Sequence, residues 1–234
     1  MTRWGTGVLD RLALTGDETV LDAGCGSGRV TEQLLERLPH GRVIAADAAP
    51  SMLAEARRRL ERFGDRVAFV ECDLGRPLPL DGKVDAVFST ATFHWVSDHD
   101  ALFANLAAVL RPGGWLVAQC GGAGNIASVR QVVAELGESW PGPWTFATPE
   151  ETTARLGAAG FVDVQAWLHD EPTRIEPGEP METFLATVIL RAHLDRRPVV
   201  ERAGFVRQVA EGLPGPEIDY VRLNILARRG GKPG

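Results

Sequence analysis

The stretch at residues 20–28, V-L-D-A-G-C-G-S-G, constrains this chain more than any other. A short apolar run ends in a turn with three alternate glycines, Gly24, Gly26 and Gly28, and a helical pattern follows. Glycines in a strand-to-helix turn let the backbone approach a ligand closely. A dinucleotide site wants its third glycine where Arg29 stands, because that position packs helix against strand. A phosphate loop wants Gly-Lys-Ser/Thr, and no such lysine follows. What remains is D-x-G-x-G-x-G with Asp22 at the strand end. An acid there suits a ligand that carries an ammonium and a sulfonium better than one that carries pyrophosphate.

The pattern around this turn sets the fold class. Apolar runs at 19–23, 42–47, 67–71, 84–90 and 115–120 alternate with helical spacing at 30–38, 50–63 and 98–110. Strands that alternate with helices predict a parallel sheet covered on both faces. Further along, 125–137 and 149–160 read as helices and 161–169 as a sixth strand. A Pro- and Glu-rich linker at 170–180, two helices at 181–194 and 198–213, and a final strand at 220–228 complete the chain. The expected organisation is a single domain over 1–234, with a lid segment at 124–148 and a helical cap at 178–214. A helical pair between the last two strands cannot lie in the sheet, so it is expected above the strands' carboxyl ends, where such folds bind ligands.

Composition removes several function classes. The net charge of −6 argues against a nucleic-acid partner. Three scattered cysteines, Cys25, Cys72 and Cys120, make neither a disulfide framework nor a metal site, and fit a cytoplasmic protein. No apolar run reaches the ~20 residues that span a bilayer, so no membrane association is expected. A small-molecule partner remains, and oligomeric state is open.

Asp47 ends the second strand about 20 residues past the glycine turn, where a carboxylate can accept hydrogen bonds from ribose hydroxyls. Asp73 follows the third strand and can take an amino hydrogen of adenine, with Met52 and Leu74 as apolar walls. Each acid alone could be a helix cap or a turn acid; three after three successive strands point to one crevice. Ala23, Ala48 and Cys72, neighbours of these acids, complete the expected wall with Gly24 and Gly26.

V-L-D-A-G-C-G-S-G, A-A-D, E-C-D-L and L-R-P-G-G-W-L-V resemble, in order and spacing, the class I methyltransferases. The resemblance implies S-adenosylmethionine as cofactor, S-adenosylhomocysteine as product, and an α/β, doubly wound, Rossmann-like sheet of seven strands, mostly parallel, whose last strand runs antiparallel after the inserted cap. It places Ser89, Thr90 and Ala91 beside the methionine part of the cofactor, and His94 and Trp95 between cofactor and acceptor. The cap stretch F-L-A-T-V-I-L-R-A-H-L-D is similar to the Thr-x-x-Leu-Arg-Pro helix of the trans-aconitate methyltransferases at Thr187, Leu190 and Arg191, with Ala192 in place of the proline. His94 replaces that family's glutamine, and the His-Trp pair is similar instead to juvenile hormone acid methyltransferases. Both families esterify carboxylic acids. A carboxylate of ordinary pKa ~4 is already ionised at neutral pH and needs no base. Arg191 is expected to hold a second acidic group or to touch one oxygen only, since a two-pronged clamp would neutralise the nucleophile. His94, Trp95 and Arg191 are thus the expected acceptor-side residues.

The alternative is a hydroxyl or amine acceptor with His94 as base. A nicotinamide oxidoreductase and a non-catalytic cofactor-binding module are the further readings. Trp140 and Trp144 are expected to pack the lid and His99 to be structural. The short stretch 1–18 stands where that family carries a covering helix, and Trp4 is the residue expected to supply part of the cover.

Overall fold

The computed structural model describes residues 7–231; the expectation for Trp4 lies outside them. Five strands build one half of the molecule: β1 (Thr19–Ala23), β2 (Arg42–Asp47), β3 (Val67–Glu71), β4 (Val84–Thr90) and β5 (Leu110–Gly121). They are joined by α1 (Arg29–Glu36), α2 (Pro50–Leu60) and α3 (His99–Val109). Helices α4 (Ala127–Glu135) and α5 (Pro149–Ala158) precede β6 (Phe161–Asp170). A two-residue strand β7 (Thr173–Arg174), helices α6 (Glu179–Phe184), α7 (Arg191–Asp195) and α8 (Val199–Gly212), a two-residue strand β8 (Glu217–Ile218) and β9 (Val221–Arg229) end the chain.

The seven-stranded sheet runs β3-β2-β1-β4-β5-β9-β6. Strands β1 to β5 pair in parallel, and β9 lies antiparallel to both β5 and β6. Every residue of β1 is buried, which is why its sequence is apolar apart from Thr19 at its start and Asp22. Leu34 and Leu35 of α1 and Leu53, Ala56 and Leu60 of α2 pack with Val20, Val43 and Phe88 on one face. Leu102, Phe103 and Leu106 of α3 and Leu156 of α5 cover the other with Val87 and Leu116. The chain reverses its winding between β1 and β4, and the crevice that opens at their carboxyl ends is where ligands bind in doubly wound sheets.

The regions after β5 differ from the simple helical reading. The helix expected over 181–194 is broken: α6 ends at Phe184, a π-turn occupies Leu185–Ile189, and α7 begins at Arg191. Leu190 N donates to Leu185 O at 2.7 Å, five residues back, and Thr187 Oγ1 donates to Thr183 O at 2.7 Å. The first bond is the wide π-type turn, and the second is a side-chain bond of the kind that bends a helix. The linker at 170–180 is not wholly irregular, since β7 pairs with β8. Helix α2 stops at Leu60 and passes into a 3₁₀ turn, Glu61–Arg66, where Gly64 leaves helical geometry. Residues of α4, the cap and Tyr220 share a third apolar cluster around Leu185, Ile189, Phe205 and Val209. That cluster seats the cap beside the crevice.

Candidate functional site

A cavity of about 770 Å³ lies at the carboxyl ends of the central strands. Its first half is built by the glycine turn. Gly24 N and Cys25 N both donate to Ala46 O, at 2.8 and 2.9 Å, folding the turn over the end of β2. Gly24 has φ +88°, and a Cβ there would stand 2.1 Å from Thr92 Oγ1, so the position needs glycine twice over. Thr92 Oγ1 in turn donates toward Gly24 O (3.2 Å) and Thr90 O (3.0 Å). Ala91, between them, holds φ +56°, a left-handed conformation uncommon for a residue with a side chain.

Asp47 receives two backbone donors: Gly26 N on Oδ2 (2.8 Å) and Ala49 N on Oδ1 (2.9 Å). Each carboxylate oxygen can accept a second bond, so Asp47 both shapes the turn and keeps acceptors for a diol. A Cβ on Gly26 would meet nothing within 4 Å. Asp73 lines the cavity, its Oδ1 accepting from Gly75 N at 2.9 Å. Ala48, Met52, Leu74 and Thr90 line it as well. The cavity therefore sets the Asp47 carboxylate, the apolar walls of Met52 and Leu74, and a backbone-lined trough at Gly24 and Gly26 side by side.

Five expected residues stand elsewhere. Asp22 is 2% exposed and does not line the cavity. Its Oδ2 accepts from Thr31 Oγ1 at 2.6 Å, so it ties the end of β1 to α1 beneath the turn. Burial pushes its carboxyl up to about 7, against the Thr31 hydrogen bond and with a contribution from Asp47. Ala23 is fully buried, and its carbonyl accepts from Ser89 Oγ at 2.6 Å, which turns Ser89 away from the cavity too. Cys72 sends its side chain toward the core while its N–H donates to Asp47 O at 3.1 Å. Arg191 is on the outside of the cap, its side chain 75% exposed and paired with Asp195 at 3.3 Å. The widened turn before α7 rotates the arginine outward and presents Val188 and Ile189 to the cavity in its place.

His94 and Trp95 sit in a 3₁₀ turn after β4 and both line the cavity. His94 is 8% exposed. Its Nδ1 accepts from Gly121 N at 3.2 Å, so in the neutral ring the hydrogen is on Nε2. Burial, the Arg222 charge and the His99 charge hold the imidazole down at about 3. A ring so poised donates a hydrogen bond and does not take a proton near neutrality, which opposes the role of base expected for a hydroxyl or amine acceptor. Phe146, Trp144 and Trp95 continue the aromatic wall, Trp144 and Phe146 stacked with centroids 5.9 Å apart. Trp140 lies in a separate small cavity beside His193 and Arg196. His99 is buried, with Nε2 3.0 Å from Phe93 O.

Six polar lining residues escaped the reading of the sequence: Ser27 and Thr92 near the glycine turn, and Gln119, Asn125, Tyr220 and Arg222. Arg222 is 6% exposed. Burial lowers its guanidinium from the ordinary arginine value, and the nearby Tyr220, Glu171 and Cys120 oppose that. A signal for it exists. At the entry to the final strand Tyr220, and within it Arg222 and Asn224, alternate with Val221, Leu223 and Ile225, and a period-two polar row in a buried strand marks a face that meets polar partners.

Residues 20–114 match the methyltransferase domain family. The chain is 34% identical over 167 residues to the trans-aconitate 2-methyltransferase of Methylobacterium nodulans, covering 71% of this chain and 62% of that protein. It is 29% identical to the enzyme of the same name from Paracidovorax citrulli, over 97% of this chain and 93% of the relative. Among solved structures, phosphoethanolamine N-methyltransferase 2 of Haemonchus contortus, in complex with phosphomonomethylethanolamine and S-adenosylhomocysteine, superposes with a TM-score of 0.66 at 19% identity. That likeness covers 98% of this chain and 53% of the other. Among the described residues no helix is long and apolar enough to cross a membrane.

Proposed function

We propose that the chain is a class I S-adenosylmethionine-dependent methyltransferase that esterifies a carboxylate of a small organic acid; the methyltransferase domain match over residues 20–114 and the likeness to trans-aconitate 2-methyltransferases support this reading. The reading rests on His94. With Nδ1 taken by Gly121 N–H and the ring held neutral down to about 3, the residue best placed to serve as a base is a donor. The other titratable groups of the lining are Cys25, Arg29, Asp47, Asp73, Tyr220 and Arg222. Asp47 and Asp73 follow β2 and β3, whereas His94 and Arg222 stand with β4, β5 and β9 in the other half of the sheet. An acceptor that arrives already deprotonated matches this inventory.

S-adenosylmethionine held in this crevice would supply an electrophilic methyl: a carboxylate oxygen would give the electron pair of the new C–O bond, the pair of the broken C–S bond would stay on sulfur, and no proton would need to move. The protein's part is to position and to exclude water. Asp47 and Asp73 would hold the nucleoside end and the Gly24–Gly26 backbone the methionine end, with Ala91 and Thr92 lining the floor between. His94 Nε2–H and Arg222 orient the anion, while Trp95, Trp144 and Phe146 close the wall against solvent.

The test is a panel of carboxylic acids, phenols and amines incubated with labelled S-adenosylmethionine at pH 7. Label in alkali-labile methyl esters is expected. Label confined to alkali-stable ethers or methylamines would remove the carboxylate reading.

A further inference from the structure

We propose that the acceptor is a hydroxy acid, and that Gln119 selects it by accepting the hydrogen of the hydroxyl on Oε1. The acid rests on the carboxylate reading above; the hydroxyl rests on Gln119. The orientation of the Gln119 amide is set from behind the cavity. Arg11 has donors only, so Asn224 turns Oδ1 toward it. The other end of the Asn224 amide agrees, since Nδ2 donates to the backbone oxygen of Arg222 at 3.3 Å and a carbonyl only accepts. Asn224 Oδ1 also takes a hydrogen of Gln119 Nε2 at 2.9 Å. Gln119 therefore spends its nitrogen on β9 and keeps its oxygen.

That oxygen belongs to the cavity. Gln119 lines it and is 7% exposed, and among the described residues no donor reaches Oε1. The atom is not sealed in the core, so its open side is the cavity side. Asn125, also a buried lining residue, presents the opposite polarity. Its Oδ1 accepts from Val221 N at 2.9 Å, which leaves the hydrogens of Nδ2.

Strand geometry places the two amides in a row. Gln119 and Gly121 are two residues apart on β5 and face the same side. A Cβ on Gly121 would lie 2.9 Å from Asn125 Nδ2, so that nitrogen stands over Gly121. The anchor points of the acceptor oxygen and the donor nitrogen are thus one strand repeat apart, about 7 Å. His94 is bonded through Nδ1 to the N–H of Gly121 and adds its Nε2–H on the Asn125 side. An acid whose carboxylate meets Asn125 and His94 would bring its own carbon chain under Gln119 Oε1. Plain hydrocarbon there would strip the oxygen of water and give it no donor. A neutral hydroxyl fits this place better than an ammonium, because Arg11 sets a positive charge behind the paired amides. Arg11 lies 5.0 Å from the Trp167 ring centroid and pairs with no carboxylate among the described residues.

The experiment is calorimetry on the protein saturated with S-adenosylhomocysteine, titrated with hexanoate and with 2-, 3- and 4-hydroxyhexanoate. One of the hydroxy acids is expected to bind at least about tenfold tighter than hexanoate. Gln119→Met keeps the length of the side chain and removes the amide. It is expected to erase that advantage while leaving the affinities for hexanoate and S-adenosylhomocysteine in place. Arg11→Met touches no lining atom and only unlocks the amide orientation. It is expected to shrink the advantage several-fold, so it carries the test even if Gln119→Met fails to fold. The proposal is overturned if no hydroxy acid is preferred, or if the preference survives in both variants. It is overturned as well if Gln119→Met weakens S-adenosylhomocysteine instead, which would make Gln119 a contact of the cofactor. The two readings fail separately. A Gln119-dependent preference with the methyl found in alkali-stable ethers keeps the hydroxyl contact and removes carboxyl transfer. Methyl esters formed without any Gln119-dependent preference keep carboxyl transfer and remove the hydroxy-acid assignment.

Discussion

His94 shows how one backbone contact decides the chemistry of a side chain. An imidazole at this position could be acid, base or donor; the Gly121 N–H on Nδ1 selects the donor form. The same burial has a consequence for stability. The ring's ordinary value of 6.5 is lowered to about 3, by burial first and by the charges of Arg222 and His99 after it. Below pH 6.5 the unfolded chain takes up a proton that the folded chain refuses, so stability falls as pH drops toward 3. The limiting slope is about 1.4 kcal/mol per pH unit. Asp22 acts oppositely. Its carboxyl is raised from 3.8 to about 7, so its contribution is full below 3.8 and lost as pH rises through 7. Comparing His94→Gln with the parent cancels the Asp22 effect. Urea midpoints between pH 6.5 and 4 should fall less steeply in the variant, and parallel curves would sink the assignment of a buried neutral ring.

At the scale of elements, the segment ahead of α5 matters most, because it carries Trp144 and Phe146 to the cavity. It is held on either side of Phe146. Thr145 N donates to His94 O at 2.8 Å, and Ala123 N donates to Ala147 O at 3.0 Å. The segment then enters α5 through a capping box: Glu151 N donates to Thr148 Oγ1 at 3.2 Å and Thr148 N to Glu151 Oε2 at 3.0 Å. Pro149 stands at the first helical position, where its missing N–H costs nothing. Removing the hydroxyl leaves a helix-end N–H unpaired, so Thr148→Ala should lower unfolding free energy by about 1 kcal/mol, with Thr148→Ser restoring most of it. Equal denaturant midpoints for Thr148→Ala and the parent would show that Pro149 alone sets the helix start.

At the scale of the whole molecule, β9 is the element that completes the site. It returns antiparallel between β5 and β6 and brings the end of the chain beside the glycine-turn half. Asn224, fully buried on β9, accepts from Arg11 Nη1 and from Gln119 Nε2, and its Nδ2 lies 2.9 Å from His169 Nδ1. One side chain therefore ties the N-terminal segment, the cavity floor and the edge strand. Asn224→Ala should strand a buried amide and a partly buried guanidinium and cost about 2–3 kcal/mol of stability. Equilibrium urea unfolding measures it, and a loss below about 0.5 kcal/mol would mean that water or a rearranged Gln119 replaces the hub.

The sequence by itself determined the parallel half of the sheet, the glycine turn and the carboxylates that border it. Those depend on local pattern: a buried strand reads as an apolar run, and Gly24, Asp47 and Asp73 are placed by their distance from strand ends. The antiparallel last strand and the cofactor came from the resemblance those motifs carry. Tertiary structure alone decided the acceptor side. Asp22 looks like a ligand acid from its position, yet strand alternation and Thr31 turn it under the loop. Arg191 matches a motif, yet a bond from Leu190 N to Leu185 O widens the helix and swings it to solvent. Arg222, on the last strand, becomes a cavity cation only because β9 inserts beside β5 and sets it opposite Gly121. Neither propensity nor spacing records which atoms of His94 and Asn125 the backbone consumes. Those hydrogen bonds join residues far apart in the chain, and they leave the donors that define what the cavity can hold.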